Sequence, residues 1–271
     1  MPISSMFSRP RTEKPRVPGR GVCIAVVDSG VHVSHPHVQG VAGGVAIDAA
    51  GCVSGDFVDR IGHGTAVMAA IKEKAPFADC YAVRIFDGRL TTSASTLIAA
   101  IDWAVEARVH IVNLSLGTSN AAHAPLFEAA VARAAAAGVT IVAARDDEGV
   151  LWFPGSLPGV IGVRADWDCP RESYRVEALD DGGVVFRASG FARPIPGVDP
   201  RRNLHGISFA VANMTGFLAR AMSLMPDEAP EDAVSRLVRF AELKEKLAAE
   251  ASEPGTPATL AIRGDRVMPA V

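Results

Sequence analysis

Three side chains able to cooperate in nucleophilic catalysis stand in glycine-flanked settings. They are Asp28 in AVVDSG (25–30), His63 in GHGTAV (62–67) and Ser208 in GISFAVANMTG (206–216). A serine hydroxyl is a weak nucleophile at neutral pH. It needs a base within hydrogen-bond reach, and the base needs a partner that fixes its tautomer. A buried aspartate on the Nδ1–H of His63 would orient the imidazole so that Nε2 takes the Ser208 proton and returns it to a leaving amine. Singly the pieces are weak: an aspartate after a strand is often a turn former, and a serine at a helix start is usually an N-cap. The case rests on all three occurring together, each at a strand end or a helix start.

The surrounding pattern supplies those ends and starts. VCIAVV (22–27) is an unbroken apolar run that reads as a strand buried on both faces, delivering Asp28 at its carboxyl end. Helices are expected over 64–74, 93–109, 124–138 and 207–222, and strands over 80–86, 110–117, 139–144 and 160–165. Strands alternating with helices of this length imply βαβ units and a mostly parallel sheet. The fold class expected is therefore α/β, a three-layer α/β/α arrangement. Ligands of such sheets bind beyond the carboxyl ends of the strands, where all three residues fall. The polar stretch 166–189 fits a β-hairpin or an irregular excursion, 226–248 an amphipathic helix, and 259–263 (TLAIR) an edge strand. Residues 1–20, rich in Pro, Arg and Ser, are expected to form a flexible arm ahead of one domain spanning 21–271.

The blocks VVDSGV (26–31), GHGT (62–65) and GIS (206–208) resemble the signatures of the subtilisin-like serine protease (subtilase, peptidase S8) family. YAVRIFDG (81–88) and HIVNLSLG (110–117) resemble two further blocks of that family. The resemblance covers roughly residues 21–240. It implies a subtilisin-like fold, an endopeptidase acting through an acyl-enzyme, and Asp28, His63 and Ser208 as catalytic residues. It also implies that Ser115, Leu116 and Gly117 bind an extended substrate through their backbone, in the manner of an added β-strand.

The sequence departs from the family in places. By alignment, Asp147 stands where the family has the asparagine of the oxyanion hole, and Asp146 on the preceding glycine. An ionised carboxylate has no proton to donate to an oxyanion. Three readings stay open: Asp147 held protonated by its acidic neighbours, a slow enzyme relying on the Ser208 N–H, or a non-catalytic relative. Ile207, Phe209 and Ala212 replace residues usual around the nucleophile. Acidic residues at 146–148 near the primary specificity pocket would favour Arg or Lys before the scissile bond. The calcium-carrying loop of many relatives is missing between His63 and Tyr81, so no metal is expected. Asp56 and Asp59 read as surface or loop-capping carboxylates.

With 271 residues, 49% of them hydrophobic, the chain can bury a large core. A net charge of −3 and the lack of a dense basic patch argue against nucleic-acid binding. No run of about 18 apolar residues suggests a membrane span. Cys23, Cys52, Cys80 and Cys169 show neither zinc-site nor disulfide spacing, and the histidines other than His63 show no metal spacing. The expectations are thus no cofactor, a cytoplasmic location, and a peptide or protein substrate, a dedicated precursor peptide among the candidates. About 20 residues precede the first strand, which suggests a narrow-specificity processing enzyme made without a long inhibitory segment. The competing reading is a weak or inactive subtilase-like domain that binds extended peptides as a scaffold or regulator. Oligomeric state is left open.

Overall fold

A computed structural model describes residues 17–147, 149–224 and 234–243. In the interior of the main sheet lies β1 (Cys23–Asp28), flanked on one side by β4 (Asp79–Arg84) and on the other by β5 (Ile111–Leu114), both parallel to it. Beyond β4 lie β2 (Gly43–Ile47), also parallel, and the short antiparallel β3 (Val53–Ser54). Beyond β5 come β6 (Thr140–Ala144) and β9 (Val160–Ala165), then β11 (Val184–Ala188), all parallel, and finally β10 (Tyr174–Ala178) antiparallel to β11. A separate two-stranded ribbon, β7 (Asp146–Asp147) with β8 (Val150–Leu151), follows β6.

The strand pleat explains why β1 is apolar throughout. Ile24 and Val26 join a core packed under α1 (His63–Lys74) and α4 (Ile207–Leu224), with Met68, Ile71, Met214 and Leu218. Ala25 and Val27, on the alternate face, pack with Leu97 and Ile101 of α2 (Ala94–Glu106) and Phe127 of α3 (Ala124–Ala136). Side chains of successive strand residues point to opposite faces, so a strand covered by helices on both sides must be apolar at every position. The result is the expected three-layer α/β/α architecture. The expected strand over 110–117 leaves the sheet after Leu114, freeing 115–117 for another role. The 166–189 stretch contains the hairpin β10–β11. Its Asp166 is buried under Arg175 and Arg187.

Residues 17–20 turn into β1, and the Gly19 N–H donates to the Ser223 hydroxyl at 2.8 Å, while the rest of the expected arm lies outside the described residues. Of the helix expected over 226–248, residues 234–243 are helical. The remainder, and the strand expected at 259–263, lie outside the described residues.

Candidate active site

Asp28, the last residue of β1, is 1% exposed at the carboxyl edge of the sheet. Its Oδ1 accepts the Ser29 N–H at 2.7 Å and faces His63 Nδ1 at 2.8 Å. A carboxylate only accepts, so Nδ1 carries the proton and the neutral ring keeps its lone pair on Nε2. Burial works against charging His63, but the hydrogen bond and charge of Asp28, helped by the charge of Asp59, outweigh it. The imidazole pKa is raised above the ordinary 6.5.

His63 opens α1, and its placement depends on residues that carry no chemistry of their own. Asp59 is 1% exposed. Its Oδ1 accepts from the Ser29 hydroxyl at 2.9 Å and from the N–H groups of Ile61 and Gly62 at 2.9 and 2.8 Å. Its Oδ2 accepts from the Thr65 N–H at 2.9 Å and the Thr65 hydroxyl at 2.6 Å. The Ser29 hydroxyl in turn accepts the Gly64 N–H at 2.8 Å. Asp59 thus caps the loop, as expected, but from the interior. It ties the Asp28–Gly30 turn to the first turn of α1. Gly64 is required there, because a Cβ would lie 2.4 Å from the Gly30 carbonyl oxygen. Burial pushes the Asp59 pKa up, but the donors from Thr65, Gly62 and Ile61 prevail and hold it below the usual carboxylate value.

Ser208 is the second residue of α4, beside α1, and the Phe209 ring lies 5.6 Å from the His63 ring, centroid to centroid. A buried polar chain fixes its height. The Thr215 hydroxyl donates to Asn113 Oδ1 at 2.9 Å, and Asn113 Nδ2 donates to the Ser115 hydroxyl at 2.8 Å. The Ser208 hydroxyl itself donates to the Ser115 carbonyl at 3.0 Å. Among the described residues it forms no hydrogen bond to His63. The structure therefore forms the Asp28–His63 pair and brings Ser208 to the same sheet edge, with its hydroxyl turned onto Ser115. Neither Asn113 nor Thr215 stood out in the sequence. Their signal, a polar residue inside an apolar run (IVNLSL, NMTGFL), is legible only once the two segments are known to meet.

Ser115–Gly117 runs on from β5 past Ser208. The N–H groups of Leu116 and Gly117 have no backbone partner among the described residues. The next residue, Thr118, exchanges two hydrogen bonds with Phe153 at 3.0 and 2.8 Å.

The model of the subtilase family, peptidase S8, matches residues 19–166, more than half of the chain. The chain belongs to the subtilase family. It is 29% identical to Subtilisin E of Bacillus subtilis over 237 residues, covering 82% of this chain and 61% of that protein. It is 34% identical to the Thermostable alkaline protease of Halalkalibacterium halodurans over 168 residues, 58% of this chain and 45% of that protein. The match thus spans between about half and three-fifths of these curated relatives. Among solved structures, Sphericase superposes with a TM-score of 0.63 at 22% identity, over 84% of this chain and 86% of that one. The Prenylagaramide maturation protease PagA superposes with a TM-score of 0.53 at 24% identity, over 76% of both chains.

In this subtilase Asp146 is engaged. Arg164 Nε donates to both of its oxygens, at 2.8 and 2.9 Å, and Arg145 Nε lies 3.6 Å away. Arg164 also pairs with Glu177. The Asp146 charge is matched from within the protein, which removes it as a ready partner for a substrate cation. Asp147 pairs with Val150 through its backbone, and its side chain and Glu148 lie outside the described residues. No group of three or more His, Cys, Asp or Glu side chains suited to a metal occurs among the described residues. His35 and His37 form an edge-to-face pair in a loop. The buried Cys80 thiol is pushed up to about 12 by desolvation, consistent with an inert core thiol.

Proposed function

We propose that this subtilase is a serine endopeptidase in which Ser208 attacks, His63 moves the proton and Asp28 orients His63. The observation that carries the reading is the 2.8 Å contact between buried Asp28 and His63 Nδ1, made at the start of the helix that packs beside the helix bearing Ser208. Rotation of the Ser208 side chain from one staggered well to another would release the hydroxyl from Ser115 toward His63 Nε2. Attack on a carbonyl held along Ser115–Gly117 then transfers the Ser208 proton to His63 and places negative charge on the carbonyl oxygen. The Ser208 N–H, at the amino end of α4, and the positive end of that helix favour this charge. His63 next protonates the departing amine. Water hydrolyses the ester by the same steps in reverse.

Asp147 takes the place of the second oxyanion donor in this reading, so turnover is low when its carboxyl is ionised. Removing one such donor commonly costs about 10²–10³ in kcat. Narrow specificity, with a precursor peptide as substrate, is part of the proposal. The printed title of one structural neighbour, a maturation protease, accords with it. A second reading, a silent domain that binds peptides, is favoured by the Ser208 hydroxyl resting on Ser115 instead of His63. A fluorophosphonate probe separates the two. The enzyme labels, and Ser208→Ala abolishes labelling; failure of the folded protein to label supports the binder. Asp147→Asn should raise the labelling rate at least tenfold, and an unchanged rate removes Asp147 from the oxyanion site.

A further inference from the structure

An aromatic cluster borders the residues that lead into the nucleophile. Trp167, two residues past the end of β9, meets Phe191 edge-on at 5.4 Å and His205 at 6.0 Å, and Phe191 lies 6.3 Å from His205. The indole lies on Gly190, where a Cβ would come within 2.7 Å of the ring. Any other residue at 190 would displace it. His205 stands three residues before Ser208, and the intervening Gly206 N–H donates to the Gly190 carbonyl at 2.8 Å.

The supports beneath these rings are rigid. The Asp166 N–H donates to the Ala188 carbonyl at 2.8 Å, and the buried Asp166 carboxylate pairs with Arg175 and Arg187. Buried Asn213 of α4 donates to the carbonyls of Ser189 and Phe191, at 2.8 and 3.3 Å. Arg171 Nε adds a bond to the Phe191 carbonyl at 3.1 Å. Yet Trp167 remains 51% exposed and neighbouring Leu204 47%. A tryptophan serving only the core would turn its ring inward. One clamped by its neighbours with half its surface in water is pre-organised for contact, because little side-chain freedom remains to be lost on binding.

We infer that Trp167, Phe191 and His205 form the platform for the leaving side of the substrate, the segment beyond the scissile bond, and that it takes an aromatic side chain. The inference rests on the reading of Ser208 as the nucleophile and of Ser115–Gly117 as the strand for the acyl side. The acyl side is taken by Ser115–Gly117, and the ring cluster reaches the chain three residues before Ser208, which assigns it to the other side of the scissile bond. Edge-to-face and offset contacts with a further ring extend the geometry already present among the three.

The test compares peptides that share an acyl side and differ in the two residues after the cleaved bond, Phe against Gly. In the intact protein kcat/KM favours Phe. In Trp167→Ala the Phe-to-Gly ratio falls about tenfold, and Trp167→Phe restores most of it. A merely structural role lowers both substrates alike and leaves the ratio unmoved, which overturns the proposal. A second measurement does not depend on turnover. Tetrapeptides beginning Phe-Phe or Gly-Gly are titrated into Ser208→Ala protein and followed by isothermal titration calorimetry. Phe-Phe binding at least fivefold tighter than Gly-Gly, and lost with Trp167→Ala, supports the platform; equal binding of the two overturns it. If no peptide is cleaved and no probe labels the intact protein, the hydrolase reading fails, and this titration alone still decides the platform.

Discussion

Asp59→Asn is the sharpest probe of how His63 is held. Asp59 is an acceptor toward Ser29, Ile61 and Gly62 through one oxygen, and toward the Thr65 N–H and hydroxyl through the other. Asparagine keeps the shape but exchanges one oxygen for a donor. With its NH₂ toward Thr65, the hydroxyl can reorient and accept, but the Thr65 N–H is left without a partner. The opposite flip strands the N–H groups of Ile61 and Gly62. A hydrogen bond to a charged group contributes about 1.5–3 kcal/mol, and an unpaired buried donor costs about 1–3 kcal/mol. The expected loss is therefore about 3–5 kcal/mol, a large part of a typical folding stability. Urea unfolding followed by circular dichroism at pH 7 measures it, and the labelling rate of Ser208 should fall at least tenfold as His63 shifts. The folded-state pKa of Asp59 is lowered. Its contribution is thus fully present above the unfolded value of 3.8 and is lost as pH falls through the folded pKa. The gap between wild type and variant should narrow below pH 4. A stability change under about 0.5 kcal/mol, with labelling unchanged, would refute the idea that this carboxylate organises the site.

The raised pKa of His63 places the acid limb of kcat/KM above pH 6.5, because the base must be neutral to accept a proton. Asp28→Asn should move that limb to lower pH and reduce kcat by about 10⁴. The same shift means that the His63–Asp28 pair stabilises the fold below pH 6.5 and loses that contribution as pH rises through the raised value. Away from the site, burial resists ionisation of Glu73, but Arg171 and Lys74 hold its carboxyl down at about 2. Glu73 is exposed, so solvent screens the pair, and Glu73→Gln should destabilise by about 1 kcal/mol at pH 7. Thermal melts should show the difference shrinking as pH falls from 4.5 toward 2.

The central layers were legible because burial writes itself into sequence. VCIAVV cannot be anything but a two-faced strand once helical patterns flank it, and the Ala-rich stretch at 124–138 could only be a helix. The meeting of Asp28 with His63 was legible from a buried strand end and a glycine-flanked helix start, whereas the hydrogen bond of Ser208 to the Ser115 carbonyl was not. Short strands escaped: GGVAI (43–47) carries two glycines and too little apolar character to announce β2, which is fixed by its parallel pairing with β4. The role of Asp59 was half visible. It read as a surface or loop-capping carboxylate, but that it sits buried with donors on both oxygens is a property of the folded turn. The partner of Asp146 was not visible: its charge suggested a substrate contact, and the fold also gives it Arg164, 18 residues away in sequence.

The chain of side chains from Thr215 through Asn113 and Ser115 ends beside Ser208, and it ties that residue to β5 in the interior of the sheet. The exposed stretch 194–202 is open to redesign by loop grafting while the Ser208 hydroxyl keeps its place. An engineer seeking new cleavage preferences would leave Asn113 and Thr215 untouched and vary the rim.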